Sequence, residues 1–139
     1  MKHVKDFIAK AKPLALKVQT THGIPYGVCI AQAALETGWG RYVKGNNYFG
    51  IKGQGQRFAT HEFVNGKKIN IVDSFRAYES MEDSFEDYGH FLRTQPRYAE
   101  AFKASSPEGF ARELQRAGYA TDPEYASKLI SIMRRWNLV

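Results

Sequence analysis

The dipeptide Asn65-Gly66 restricts the fold of this chain more than any other feature. It lies inside "RFATHEFVNGKKINIVDSFRAY", between two stretches rich in β-formers. Asn-Gly is the preferred pair for a two-residue hairpin turn, because both central residues must take positive φ. Elsewhere the apolar residues recur at helical spacing. Val4, Ile8 and Ala11 form one stripe, and Ile24, Val28, Ala31 and Leu35 form another. Phe85, Tyr88, Phe91 and Leu92 make a third, and Tyr125, Leu129, Ile132, Met133 and Trp136 line a last helix. Proline and glycine set the boundaries. Pro13 suits the first turn of a segment that His22-Gly23 closes, Pro25 opens the next helix, and Gly38 stops it. Ser80 with Asp83 reads as a capping box, Pro96 breaks the chain, and Ser106-Pro107 and Asp122-Pro123 open the last two helices. The expectation is an α+β chain, mostly helical, with one hairpin after the third helix and a cleft between the two.

The 139 residues suffice for one domain with its own core, expected to span 1–139. No apolar run reaches the roughly 18 residues of a membrane span, so no membrane insertion is expected. The N-terminus, MKHVKDFIAKAKPLALK, is interrupted by charges and lacks a signal-peptide stretch. Export, if it happens, would then need a specialised route or lysis, or a signal outside this sequence. The lone Cys29, among Val28, Ile30 and Ala31, reads as a buried thiol. The net charge of +6 suits a polyanion, either nucleic acid or an acidic wall polymer. Basic residues are dispersed and no nucleic-acid motif is present, so nucleic acid is not the expected partner. His3, His22, His61 and His90 do not pair at ligand spacing, which points to no metal and no cofactor. "GQG" at 53–55 lacks a phosphate-binding context, and there is no nucleophile elbow.

Glu36 is the candidate acid. It ends a small-residue apolar helix, near the negative pole of the helix dipole, where burial would also hold its proton. A carboxyl protonated near neutral pH is what a general acid needs. Trp39, Tyr42, Tyr48 and Phe49 follow closely and offer faces for sugar rings; Asn46 and Asn47 offer amides for hydroxyl and acetamido groups. Trp39, Asn47, Tyr48, Phe49 and, further on, Tyr98 are therefore the candidate substrate-binding residues.

Five segments in order, "AQAALETGWGRY", "NNYFGIKG", "FRAYESMEDSFEDYGHFL", "PRYAEAF" and "AGYATDPEYASKL", resemble the bacterial N-acetylglucosaminidases of glycoside hydrolase family 73. That family includes flagellar rod-assembly peptidoglycan hydrolases, autolysins and phage wall lysins. The resemblance covers about Lys5 to Trp136. It implies a lysozyme-like fold and cleavage of the β-1,4 bond after N-acetylglucosamine in peptidoglycan glycan strands, by an enzyme expected to be monomeric. It places the general acid on Glu36, a second carboxylate on Glu62 with Asp73 as competitor, and the site tyrosine on Tyr119. If Glu62 acts through a water, the reaction inverts, with carboxyls about 6.5–9.5 Å apart. If the substrate's acetamido group attacks instead, Tyr119 would orient it through its hydroxyl. Two alternatives stay open: a muramidase or lytic transglycosylase of the same fold, and a wall-binding module that does not cut.

Overall fold

A computed structural model describes all 139 residues. In chain order the elements are α1 (Lys2–His22), α2 (Tyr26–Thr37), β1 (Gly55–Val64), β2 (Lys67–Arg76), α3 (Met81–Thr94), a 3-10 helix (Pro96–Lys103), α4 (Pro107–Arg116) and α5 (Tyr125–Arg135). No helix is long and apolar enough to cross a membrane.

α2 is the core of the helical body. Nine of its residues are buried, including Val28, Cys29, Ile30, Ala31, Ala33 and Ala34. Small residues let α1, α5 and α4 pack closely around it, and a methyl on Gly27 would overlap the Leu138 carbonyl. Burial also pushes the Cys29 thiol well above its ordinary pKa. A cluster of 27 buried side chains joins these helices to Phe85, Tyr88 and Leu92 of α3 and to Tyr98 and Ala101 of the 3-10 helix.

The first helix corrects an expectation. Pro13 does not open a new segment but lies inside an unbroken α1. Its missing N–H would have bonded the carbonyl of Ala9, and both residues are exposed, so that carbonyl is left on the solvent side of the helix. Val4, Phe7, Ala11, Ala15 and Val18 keep one buried stripe across the proline. The hairpin therefore follows the second helix, not the third. The stretch after Pro96 forms a 3-10 helix, which the residue pattern did not foretell. Both serines cap their helices: the Ser80 hydroxyl accepts from Asp83 N–H at 3.0 Å, without the return bond of a full capping box, and that of Ser106 accepts from Gly109 N–H at 3.0 Å.

β1 and β2 pair antiparallel, with Val64 opposite Lys67. Asn65 and Gly66 alone make the turn, at φ 51° and 78°, the positive values such a turn requires. Phe58 stacks on Phe75 within the hairpin, centroids 4.4 Å apart. The base of the hairpin is stitched to the loop after α2: Arg76 N–H donates to Ile51 O at 2.9 Å and Gly53 N–H to Ser74 O at 3.2 Å. Its side chains are otherwise largely exposed, including Val72 at 62%.

Candidate active site

The end of α2 aims the acid. Thr37 is buried, and its hydroxyl donates to Ala33 O at 2.7 Å while accepting from Gly40 N–H at 2.8 Å. Gly38, Trp39 and Gly40 all take positive φ, so the chain reverses sharply. Glu36, just before this turn, opens into a groove of about 530 Å³. One wall is Leu35 with Phe49 to Lys52, a second is Thr60 to Phe63 with Phe75, and the floor and far wall carry Phe91, Arg97, Tyr98, Gly118 to Asp122 and Tyr125.

Gly50 passes directly against the Glu36 carboxyl. It takes φ 66°, and a methyl there would overlap Glu36 Oε1. Only glycine fits that conformation and that approach. The Glu36 side chain is open to groove water, yet protein surrounds it on most sides. Its ionised form is poorly solvated, and the pKa is raised from 4.5 to about 7, first by this desolvation and then by the charge of Glu62.

Glu62 meets the opposite environment. Its Oε1 accepts from Lys52 Nζ at 2.5 Å, and its Oε2 accepts from the Thr121 hydroxyl at 2.9 Å. These contacts, led by Lys52, hold its pKa below the ordinary value. Asp73 lies 3.0 Å from the same lysine, and its pKa is lowered as well. The Thr121 hydroxyl also accepts from Phe63 N–H at 2.9 Å, tying the far end of β1 to the loop between α4 and α5.

Tyr119 donates its hydroxyl to Phe49 O at 3.1 Å and stacks on Tyr125, centroids 5.7 Å apart. Burial drives its pKa well up, so it stays a neutral phenol. Beneath, Tyr88 donates to Gln32 Oε1, and Gln32 Nε2 donates to the Tyr125 hydroxyl at 2.8 Å. Gln32 lies one turn before Glu36 on α2, so this buried chain braces the helix that carries the acid. A carboxyl with a raised pKa and one with a lowered pKa thus border one groove.

A family model described as mannosyl-glycoprotein endo-beta-N-acetylglucosaminidase matches residues 12–138. The chain belongs to the glucosaminidase family. It is a glycoside hydrolase by that membership. The Peptidoglycan hydrolase FlgJ of Pseudomonas aeruginosa is 43% identical over 94% of this chain and 36% of its own length. A Probable N-acetylmuramidase of Lactococcus lactis subsp. lactis is 36% identical over 97% of this chain and 33% of its own. The chain thus spans about a third of each of these two relatives. Among solved structures, a peptidoglycan hydrolase mutant from Sphingomonas sp. A1 superposes with a TM-score of 0.87 at 38% identity, covering 96% of this chain and 94% of that one. The C-terminally truncated glycoside hydrolase domain of Salmonella typhimurium FlgJ gives 0.76 at 35%, covering 98% and 99%. The lysozyme-like fold expected from the resemblance is the fold observed.

Within this glucosaminidase fold, Glu36, Glu62 and Tyr119 come together around the groove, and Asp73 joins Glu62 through Lys52 without lining it. Of the five expected binding residues, Phe49 and Tyr98 border the groove, but both are almost fully buried: the Phe49 ring stacks on Tyr88 and the Tyr98 ring packs on Phe91 and Tyr119. The other three lie elsewhere. The turn at Gly38 to Gly40 swings Trp39 back between Phe7 and Trp136. Asn47 is a loop lock, donating to Ile51 O and Arg76 O at 2.9 Å each and accepting from Ile51 N–H at 3.2 Å. Tyr48 packs on Phe7 and Phe85 in the core. The half-buried aromatics that do border the groove are Phe63, Phe91 and Tyr119. Phe63 was signalled by its place beside Glu62 before the turn. Gln32 was signalled as the one amide in an apolar helix. Lys52 carried no pattern signal.

Proposed function

We propose that this domain hydrolyses peptidoglycan at the β-1,4 bond between N-acetylglucosamine and N-acetylmuramic acid, with Glu36 as general acid. The observation that carries the reading is the contrast between Glu36, raised to about 7, and Glu62, held low, on one groove. Glu36 gives its proton to the leaving oxygen. Glu62 serves as the ionised partner, either activating a water or stabilising the developing positive charge at the anomeric carbon. The neutral hydroxyl of Tyr119, already bonded to Phe49 O, keeps an acceptor face for an acetamido N–H. Phe63 and Phe91 supply faces for sugar rings. On this reading the domain acts on glycan strands at the bacterial wall. The peptidoglycan hydrolase names of relatives matched over nearly the whole chain support the substrate.

The test is digestion of purified peptidoglycan by the wild type and by Glu36→Gln, followed by borohydride reduction and mass spectrometry. Reduced N-acetylglucosamine ends, lost in the variant by about 10²- to 10⁴-fold, are expected. The muramidase reading is kept alive by the N-acetylmuramidase name of one relative. It predicts reduced muramic acid ends instead. Wall binding without new ends in the wild type would leave a binding module.

A further inference from the structure

Lys52 sits between two carboxylates, and the backbone leaves it little freedom to sit elsewhere. Its neighbours are stitched to β2 through Arg76 N–H to Ile51 O and Gly53 N–H to Ser74 O. Lys52 itself bridges to Phe75, and its carbonyl accepts from Arg76 Nε at 3.3 Å. From this anchor the ammonium reaches Glu62 Oε1 at 2.5 Å and Asp73 Oδ2 at 3.0 Å. An ammonium has three N–H donors, so one remains for the groove. In the register of the hairpin, Glu62 opposes Ile69 and Asp73 opposes Phe58, which puts both acids on one face, two carboxylates with a single cation between them.

We infer that Lys52 is a positioning residue for the reaction, clamping Glu62 in its groove-facing orientation and keeping it ionised beside Glu36 and Asp73. The inference rests on the reading of Glu62 as the ionised partner. A surface ion pair alone contributes little to stability. Here the pair does something else. Asp73 repels a charge on Glu62, and Lys52 with the Thr121 hydroxyl opposes it. Other charges near the lobe are committed locally: Arg57 lies toward Asp73, and Asp122 is paired with Lys128 and faces Lys68. His61 is bonded to Asn70. No second cation contacts Glu62. Without Lys52, Glu62 takes up a proton at higher pH and swings free of its clamp. The acidic limb of the activity profile then moves upward.

The experiment is the pH dependence of peptidoglycan cleavage by the wild type, Lys52→Met, Lys52→Arg, Asp73→Asn and Glu62→Gln. Lys52→Met is expected to shift the acidic limb upward and to lose about tenfold on that side, part of what a positioned carboxylate contributes. Lys52→Arg should restore the profile. Asp73→Asn removes a competitor for the ammonium and a repelling charge, so its acidic limb should move downward. This arm holds even if Lys52→Met fails to fold. A Lys52→Met profile parallel to wild type, or an Asp73→Asn limb that stays put or rises, overturns the inference. Glu62→Gln separates the two readings. If it cleaves like wild type, the role of Glu62 fails; if it is inactive while Lys52→Met keeps the wild-type profile, only the role of Lys52 fails.

Discussion

The helical body and the hairpin lobe each contribute one carboxyl to the groove, and they treat it in opposite ways. The body is densely packed: Phe85 is 1% exposed and meets Phe49 edge-on at 4.9 Å. It sets Glu36 by withholding water. The lobe has almost no core beyond Phe58 and Phe75, and its Glu62 is set by a lysine at the base of the hairpin and a hydroxyl from the α4–α5 loop. Desolvation needs a rigid, buried wall, whereas an ion pair can form on an exposed ribbon. One groove can favour a proton on one side and a charge on the other without sharing a mechanism for either.

That contrast breaks most visibly in stability. Phe85→Ala should cost about 3–5 kcal/mol, since it empties a site the body cannot refill. Val72→Ser on the lobe should stay within about 0.5 kcal/mol, as surface changes do. Denaturant titration of both variants checks this, and a similar cost for the two would remove the distinction. Next comes Gly50→Ala, where body and site meet. Its methyl would push the Glu36 carboxyl aside and strain a φ of 66°. Cleavage should fall by about a hundredfold, the scale of a misplaced catalytic group. A variant with near-normal turnover would show that Glu36 tolerates displacement.

The lobe's own tie should matter less. Thr121→Val removes the hydroxyl that joins Glu62 and Phe63 to the α4–α5 loop. One hydrogen bond to a charged group is worth about 1.5–3 kcal/mol, and water recovers part of that here, leaving about 1 kcal/mol. Amide exchange should quicken through the outer half of the hairpin while α2 is unchanged. Equal quickening in both would mean that lobe and body open as one unit.

How far the residues foretold this arrangement depends on whether neighbours in sequence are neighbours in space. α2, the Asn65-Gly66 turn and the serine caps were legible because each is a local matter of period, φ or one side-chain hydrogen bond. α1 was misread at Pro13 because the buried stripe, a property of the whole helix, outweighed a local breaker that faces water. The groove was half legible. Glu36 stood out by its helix, and Glu62 and Tyr119 entered through the family resemblance. Trp39, Asn47 and Tyr48 were assigned to the groove by proximity to Glu36 along the chain; three successive left-handed residues turned Trp39 back to the core, and where the chain returns at Gly50 the Asn47 and Tyr48 side chains are spent on the loop and on the core. Lys52 was passed over because a lysine in a loop has no period, and its meaning appears only when β1 and β2 bring two acids to it.

The smallest effect tests the body's treatment of Glu36 without any substrate. In the unfolded chain Glu36 titrates near its ordinary 4.5, and in the folded protein near 7. Between these values the native state holds a proton that the unfolded state has lost. Stability attributable to this group therefore falls as pH rises through that window, and the deficit is complete above it. Glu36→Gln keeps the shape and removes the ionisation. At pH 4 the two proteins should melt together. At pH 8 the variant should be the more stable, by about 1 kcal/mol once the access of groove water to the carboxyl is allowed for. Thermal melts at the two pH values decide it. A gap that is the same at both would mean that Glu36 ionises as freely in the fold as out of it, and the contrast between body and lobe would then have to rest on Glu62 alone.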